Sequence, residues 1–84
     1  MTGRDQMESE VRTVLGQVLG VDPSGIGPGF DDHTCGDWTS LNHLMLISQL
    51  ESRFGVVFAN SEIAKLTSFD AIVGALEQRR RASA

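Results

Sequence analysis

The chain has 84 residues, 40% of them hydrophobic and 21% charged, with a net charge of −4 and one cysteine. So short a chain supports one small domain and leaves little room for a complete active-site cleft. The acidic balance argues against a nucleic-acid partner, whose phosphates require a basic surface, and a single cysteine excludes an internal disulfide.

The N-terminal segment predicts a first helix from about Arg4 to Leu19, which Gly20 can end with a left-handed cap. Its polar opening, MTGRDQMESE, lacks the apolar run of a secretory signal. No stretch approaches the ~20 apolar residues of a membrane span, so we expect a cytoplasmic protein without membrane contacts. Apolar residues recur at helical spacing along one face of this helix: Met7, Val11, Val14, Leu15, Val18 and Leu19.

The stretch GVDPSGIGPGF predicts a long loop after the first helix. It contains two prolines and four glycines, which regular elements do not tolerate. Val21, Ile26 and Phe30 are spaced through it as apolar anchors. We therefore expect the loop to lie across the helices.

A second helix is predicted after Ser40 and ends at Gly55. Leu41 and Met45 lie one turn apart beside Ser40 and form a separate apolar pair. The hydroxyl of Ser40 has two interpretations: it caps the helix, or it is a site of covalent attachment. At ~100° per residue, another arc of the helix is apolar and should face the core. Its members are Leu44, Leu46, Ile47, Leu50 and Phe54.

The C-terminal third predicts one short helix and one long helix. The apolar residues VVF could form a short strand, but no other segment is predicted to pair with it, so they indicate a packed connection. NSEIAKL fits a short helix opened by Asn60 or Ser61. Thr67 to Asp70 has the form of a capping box, and a last helix follows it. The apolar face of that helix contains Phe69, Ile72, Val73 and Leu76.

These elements predict an all-α bundle of three main helices and one short helix, with a long loop between helices one and two. We expect a single domain over residues 1–84, with a structured core at about 4–78. The remaining residues, 79–84, are predicted to be a basic tail whose arginines complement the helix dipole.

The stretch TSLNHLMLISQLESRFGVVFANSEIAKLTSFDAIVGALE resembles the second half of an acyl carrier protein. The first helix followed by LGVDPSGI is similar to the beginning of the same family, so the likeness covers nearly the whole chain. Members form four-helix bundles and carry a phosphopantetheine arm on a serine within an Asp-Ser-Leu motif, which Ser40-Leu41 matches in its last two residues. The helix register that follows also matches the family: Leu44, Leu46, Ile47, Leu50, Glu51, Phe54 and Gly55.

The resemblance implies 4′-phosphopantetheine on Ser40, transferred from coenzyme A by a phosphopantetheinyl transferase with Mg²⁺. The arm would hold acyl groups as thioesters, so the domain would be a monomeric carrier serving acyl-loading and acyl-accepting enzymes, and no enzyme itself. The residues expected to contact those partners are Leu41, Met45, Asn42, Trp38 and Thr39. The alternative is a helical interaction module that shares the bundle and carries nothing.

Two departures from the family pattern affect this interpretation. Thr39 stands where the family has aspartate, and the nearest acid, Asp37, lies three residues before Ser40. The outer face of the second helix is also nearly uncharged, since its only acid is Glu51. Partners that bind rows of carboxylates would find little there, which favours a specialised carrier. Polyketide, non-ribosomal peptide and polysaccharide-linked pathways use such carriers.

The polar residues between Asp31 and His43 suggest no second chemistry. Their spacing matches no zinc motif, and a cysteine protease needs a far larger scaffold. We therefore predict no metal site. Cys35 is expected to pack near Trp38, whose ring should cover the start of the second helix, and His43 is expected to face solvent.

Overall fold

The computed structural model describes the backbone of residues 3–83 and the side chains of residues 3–80. Four α-helices follow one another along this part of the chain, and it contains no strand. They are α1 (Gly3–Leu19), α2 (Ser40–Phe54), α3 (Asn60–Ile63) and α4 (Phe69–Ser83). The predicted all-α bundle, with a loop between its first two helices, is confirmed.

Glycines end α1 and α2 as predicted. Gly20 has φ +70° and Gly55 has φ +65°, left-handed conformations that a residue without a Cβ adopts at little cost. The N–H groups of Gly20 and Val21 both donate to the carbonyl of Gly16, at 2.9 and 3.2 Å. These bonds satisfy a carbonyl that the end of the helix would otherwise leave open.

The core lies between α1, α2 and α4, because α1 packs against both of the other long helices. Most of the predicted apolar faces are buried in it, although Val18 and Phe54 are only partly covered. Phe58, the last letter of VVF, is also buried and anchors the connection between α2 and α3. The side chains with no accessible surface are Val11, Leu15, Leu46, Leu50 and Ile72.

Leu44 is the one predicted core residue that the structure contradicts, because its side chain is 62% exposed. It lies at the edge of the apolar arc, about 60° beyond Ile47 around the helix. Ala64 and Thr67 are its neighbours across a groove, and neither is bulky enough to cover it.

The loop after α1 lies across the helices, as predicted. Ile26 is buried, and its carbonyl accepts a hydrogen bond from Arg12 Nε at 2.8 Å. Further along, Phe30 O accepts from the N–H of Phe69 at 2.9 Å, and Asp32 N–H donates to Thr67 O at 3.0 Å. The loop is thus tied by hydrogen bonds to α1 and to the start of α4.

The expectation that the loop contains no regular element is wrong at Pro23–Gly25, which form one turn of 3-10 helix. Asp22 caps the turn by accepting the Ser24 N–H at 2.9 Å, and this bond lowers the pKa of the Asp22 carboxyl. Gly16 allows the turn to rest on α1. A Cβ there would lie 2.9 Å from both Pro23 Cγ and Val21 O.

The starts of α3 and α4 differ from the predicted caps. Ala59 precedes α3, and its N–H donates to Glu62 Oε1 at 3.0 Å, so neither Asn60 nor Ser61 supplies the cap. Ser68 Oγ accepts the Ala71 N–H at 3.0 Å and takes the role predicted for Thr67. In both cases the residue in the capping position differs by one position from a predicted one, a difference that sequence spacing does not resolve.

The predicted basic tail belongs largely to α4, which continues to Ser83. Arg79 pairs with Glu62 and lies over the Phe58 ring, 4.8 Å from its centroid. The pKa of Glu62 is lowered, chiefly by the hydrogen bond from the Ala59 N–H and then by Arg79. The ordered part of the bundle therefore extends past residue 78, while Ala84 and the side chains of 81–83 lie outside the described part.

Candidate functional site

The turn before α2 shows which residue caps this helix. Thr39 has extended backbone angles, φ −86° and ψ 172°, and its Oγ1 accepts the Asn42 N–H at 3.2 Å. The Asn42 side chain in turn donates from Nδ2 to the carbonyl of Asp37 at 2.7 Å. Thr39 therefore fills the capping role that was one of the two interpretations of Ser40.

Ser40 is the first residue of α2 and is exposed. Its hydroxyl makes no hydrogen bond to any residue in the described part of the chain. The N–H groups of Ser40 and Leu41 belong to the first helical turn, where the helix itself supplies no carbonyl to pair with them. The site thus combines a free hydroxyl with open backbone donors at the positive end of a helix dipole.

Trp38 and Cys35 are buried beneath this turn, as predicted. The Trp38 ring lies 6.1 Å from that of Phe30 and 6.2 Å from that of His43, measured between centroids. Its Nε1–H donates to His43 Nδ1 at 3.0 Å. The indole therefore supports the start of α2 from inside and leaves little of its own surface for a partner.

The expectation that His43 faces solvent is wrong. The imidazole is half-buried, and both of its nitrogens are engaged: Nδ1 accepts from Trp38, and Nε2 lies 2.8 Å from the carbonyl of Ile63. Helical spacing placed His43 correctly on α2 but gave no sign that the end of α3 would lie against it.

A groove of about 370 Å³ opens beside Ser40, between the start of α2 and the segment that follows α3. Its walls are partly apolar, and Asp32 contributes a carboxylate. Asp32, Ala64 and Thr67 are brought to Ser40 by the tertiary fold, so no local motif could have identified them. The lining residues are Asp32, Trp38, Thr39, Ser40, His43, Leu44, Ala64 and Thr67.

Three large apolar side chains form an exposed surface next to the groove. Leu41 is 68% exposed, Leu44 62% and Met45 49%, and their spacing places them on one face of α2. We call these three residues the α2 patch. Glu51, the only acid of α2, does not contribute to it, because its carboxylate accepts the Phe58 N–H at 2.9 Å. The α2 patch therefore contains no charged side chain.

The five residues predicted to contact partners divide into two groups. Leu41 and Met45 belong to the α2 patch, together with Leu44, which the sequence had assigned to the core. Thr39 and Asn42 build the turn before α2, and Trp38 is buried under it. That any of them contacts a partner stays a prediction.

Within the described side chains, no group of three His, Cys, Asp or Glu residues could hold a metal ion. None of the helices in the same part of the chain combines the length and the hydropathy needed to cross a bilayer. The sequence matches no model of a known protein family and no curated protein. Function therefore has to be inferred from the geometry around Ser40.

Proposed function

We propose that this domain is an acyl carrier that holds its cargo on a 4′-phosphopantetheine arm attached to Ser40. The observation that carries the proposal is the division of roles at the start of α2. Thr39 supplies the cap, so the Ser40 hydroxyl is exposed and free at the first position of a 15-residue helix. A hydroxyl that is not needed for the fold is available for modification.

The backbone at the start of α2 suits a phosphodiester. Backbone N–H groups at a helix start bind anions, and an anion there gains typically ~0.3 to 1 kcal/mol from the helix dipole. In this chain the N–H groups of Ser40 and Leu41 would hold the phosphate. The arm would supply a thiol on which acyl groups are held as thioesters, so the catalytic chemistry would belong to partner enzymes.

The α2 patch supports a particular kind of partner contact. Leu41, Leu44 and Met45 offer apolar area beside the attachment point, and an uncharged surface gives little electrostatic attraction at a distance. We infer that the phosphopantetheinyl transferase and the acyl-loading and acyl-accepting enzymes bind through apolar contacts. This surface is also why we propose a specialised polyketide, non-ribosomal peptide or polysaccharide-linked pathway for the domain. We propose a cytoplasmic location as well.

Loading of the arm tests the proposal directly. The chain is coexpressed with a promiscuous phosphopantetheinyl transferase, and intact masses are measured for wild type, Ser40→Ala and Ser48→Ala. Ser48 is the matched control, because it is an exposed serine on the same helix. We expect wild type and Ser48→Ala to gain the mass of one phosphopantetheine and Ser40→Ala to gain none. Wild type that stays unmodified, or a gain that persists in Ser40→Ala, would show that the assignment is wrong.

Met45→Glu tests the proposed partner surface. Because half of the Met45 side chain already faces solvent, we expect unfolding in denaturant to stay close to wild type while transfer to and from a partner enzyme weakens. A loss of stability above ~2 kcal/mol would instead identify Met45 as a core residue. Unchanged transfer would show that Met45 is not part of the docking surface.

The alternative function is an interaction module that carries nothing. Thr39 favours it, since the acid that carriers of this kind have before the serine is replaced. The α2 patch would then be the functional surface by itself. The two functions are separated by Ser40→Ala, which should leave partner binding intact in a module and abolish acyl transfer in a carrier.

A further inference from the structure

The hydrogen bonds of His43 fix which of its nitrogens carries the proton. The indole Nε1 of Trp38 can only donate, so His43 Nδ1, 3.0 Å away, must accept and be unprotonated. The carbonyl of Ile63 can only accept, so Nε2, 2.8 Å from it, must carry the hydrogen. The geometry therefore requires a neutral imidazole in the Nε2–H form, linking the turn before α2 to the end of α3.

We propose that the hydrogen bond from Trp38 Nε1–H to His43 Nδ1 holds the indole in place and breaks when His43 is protonated. We call this bond the latch. A proton added to Nδ1 would place an N–H against the indole N–H, so the bond to Trp38 would be lost and the two donors would repel. The bond from Nε2–H to Ile63 would survive, because Nε2 stays a donor in both forms. Protonation therefore releases the indole and leaves α3 attached.

The side chain that protonation would release belongs to Trp38, which lies two positions before the candidate attachment residue, Ser40. Trp38 precedes Thr39 and Ser40 in the chain and lines the same groove as both. Loss of its bond to His43 would loosen the buried support of this turn. The latch thus makes the presentation of Ser40 depend on pH, whether or not Ser40 carries an arm.

Most of the charged groups near the latch are carboxylates, which favour a protonated imidazole, and only cations would oppose it. Asp32 lines the groove from the loop side, with His33 Nε2 3.8 Å from its Oδ1. From α3, Glu62 is directed to Ala59 and Arg79. Two more charged residues lie close in sequence to the bonded groups: Asp37 is exposed and precedes Trp38, and Lys65 is exposed and follows α3. Asp32 is the only charged group that shares the groove lining with His43.

The chain contains its own reporter and its own control. Trp38 is the only tryptophan, and His33 is the only other histidine. Indole emission is measured between about pH 8 and pH 5, where histidines commonly change charge. Wild type, His33→Gln and His43→Gln are compared. Glutamine keeps a donor group, its NH₂, and an acceptor group, its carbonyl, but does not titrate.

On acidification we expect the emission of wild type and His33→Gln to shift to longer wavelength, as a buried indole becomes hydrated, and His43→Gln to show no shift. Helical circular dichroism should stay constant over the same range. The proposal is overturned if His43→Gln keeps the shift, if wild type shows none, or if the shift coincides with loss of helix. Imidazole ¹⁵N spectra provide a second test, because an Nδ1–H tautomer at neutral pH would contradict the latch by itself.

Discussion

Leucine truncation at two positions of α2 should separate the core of this bundle from its functional surface. Leu50 has no accessible surface, so Leu50→Ala removes buried methyl groups and leaves a cavity, which costs roughly 2 to 5 kcal/mol. Leu44 is 62% exposed, which leaves 38% buried. Since full burial of a leucine is worth about 2 kcal/mol, 38% of it gives about 0.8 kcal/mol as the expected cost of Leu44→Ala.

Urea unfolding followed by circular dichroism measures both costs. A domain of this size has a total stability of roughly 4 to 13 kcal/mol, so at the low end of that range Leu50→Ala unfolds it outright. Ile47→Val is the graded substitute, with an expected cost of ~0.5 to 1.5 kcal/mol at another buried position of the same helix. Equal costs for Leu44→Ala and Leu50→Ala would refute the reasoning, because they would place Leu44 in the core as its sequence spacing suggests.

Three further substitutions test local features. Gly74→Ala should stabilise the fold by ~0.5 to 1 kcal/mol, since a Cβ there meets nothing within 4 Å, whereas Gly16→Ala should destabilise it, since its Cβ would meet the 3-10 turn. If both glycine substitutions shift the melting temperature in the same direction, the expected difference between the two positions is wrong. The pKa of Glu62 is lower in the folded protein than in the unfolded chain. The ionised carboxylate therefore stabilises the fold at pH values above the ordinary pKa of glutamate, and this contribution is lost as the pH falls through the folded-state pKa. The difference in melting temperature between wild type and Glu62→Gln should therefore be present at neutral pH and shrink in acid.

The fold could be predicted from the sequence because its elements have strong local signals. Gly20 and Gly55 end helices at positions where the backbone is in the left-handed conformation, which glycine adopts easily. The apolar spacing of α1 and α4 is regular enough to assign each buried face. Such signals depend on residues within a few positions of one another, which a sequence shows directly.

Two features beside Ser40 depend on contacts between distant segments, and the sequence prediction was wrong for both. Leu44 sits at the edge of an apolar arc, and its exposure is decided by the small side chains of Ala64 and Thr67 across the groove. His43 is half-buried because the carbonyl of Ile63 lies against it, 20 residues further along the chain. The candidate attachment residue was identified from a local motif, but the groove beside it was not.

The turn before α2 allows a last prediction that separates fold from function. Thr39→Ala removes the hydroxyl that accepts the Asn42 N–H, so it should cost ~0.5 to 2 kcal/mol while Ser40 can still be loaded. Ser40→Ala removes a hydroxyl without a hydrogen bond and replaces serine with a better helix former, so its melting temperature should equal or exceed that of wild type while loading is lost. Melts and intact masses of the two variants decide between the interpretations. If Ser40 were the cap, the order of the two stabilities would be reversed, and the hydroxyl could not be modified without cost to the helix.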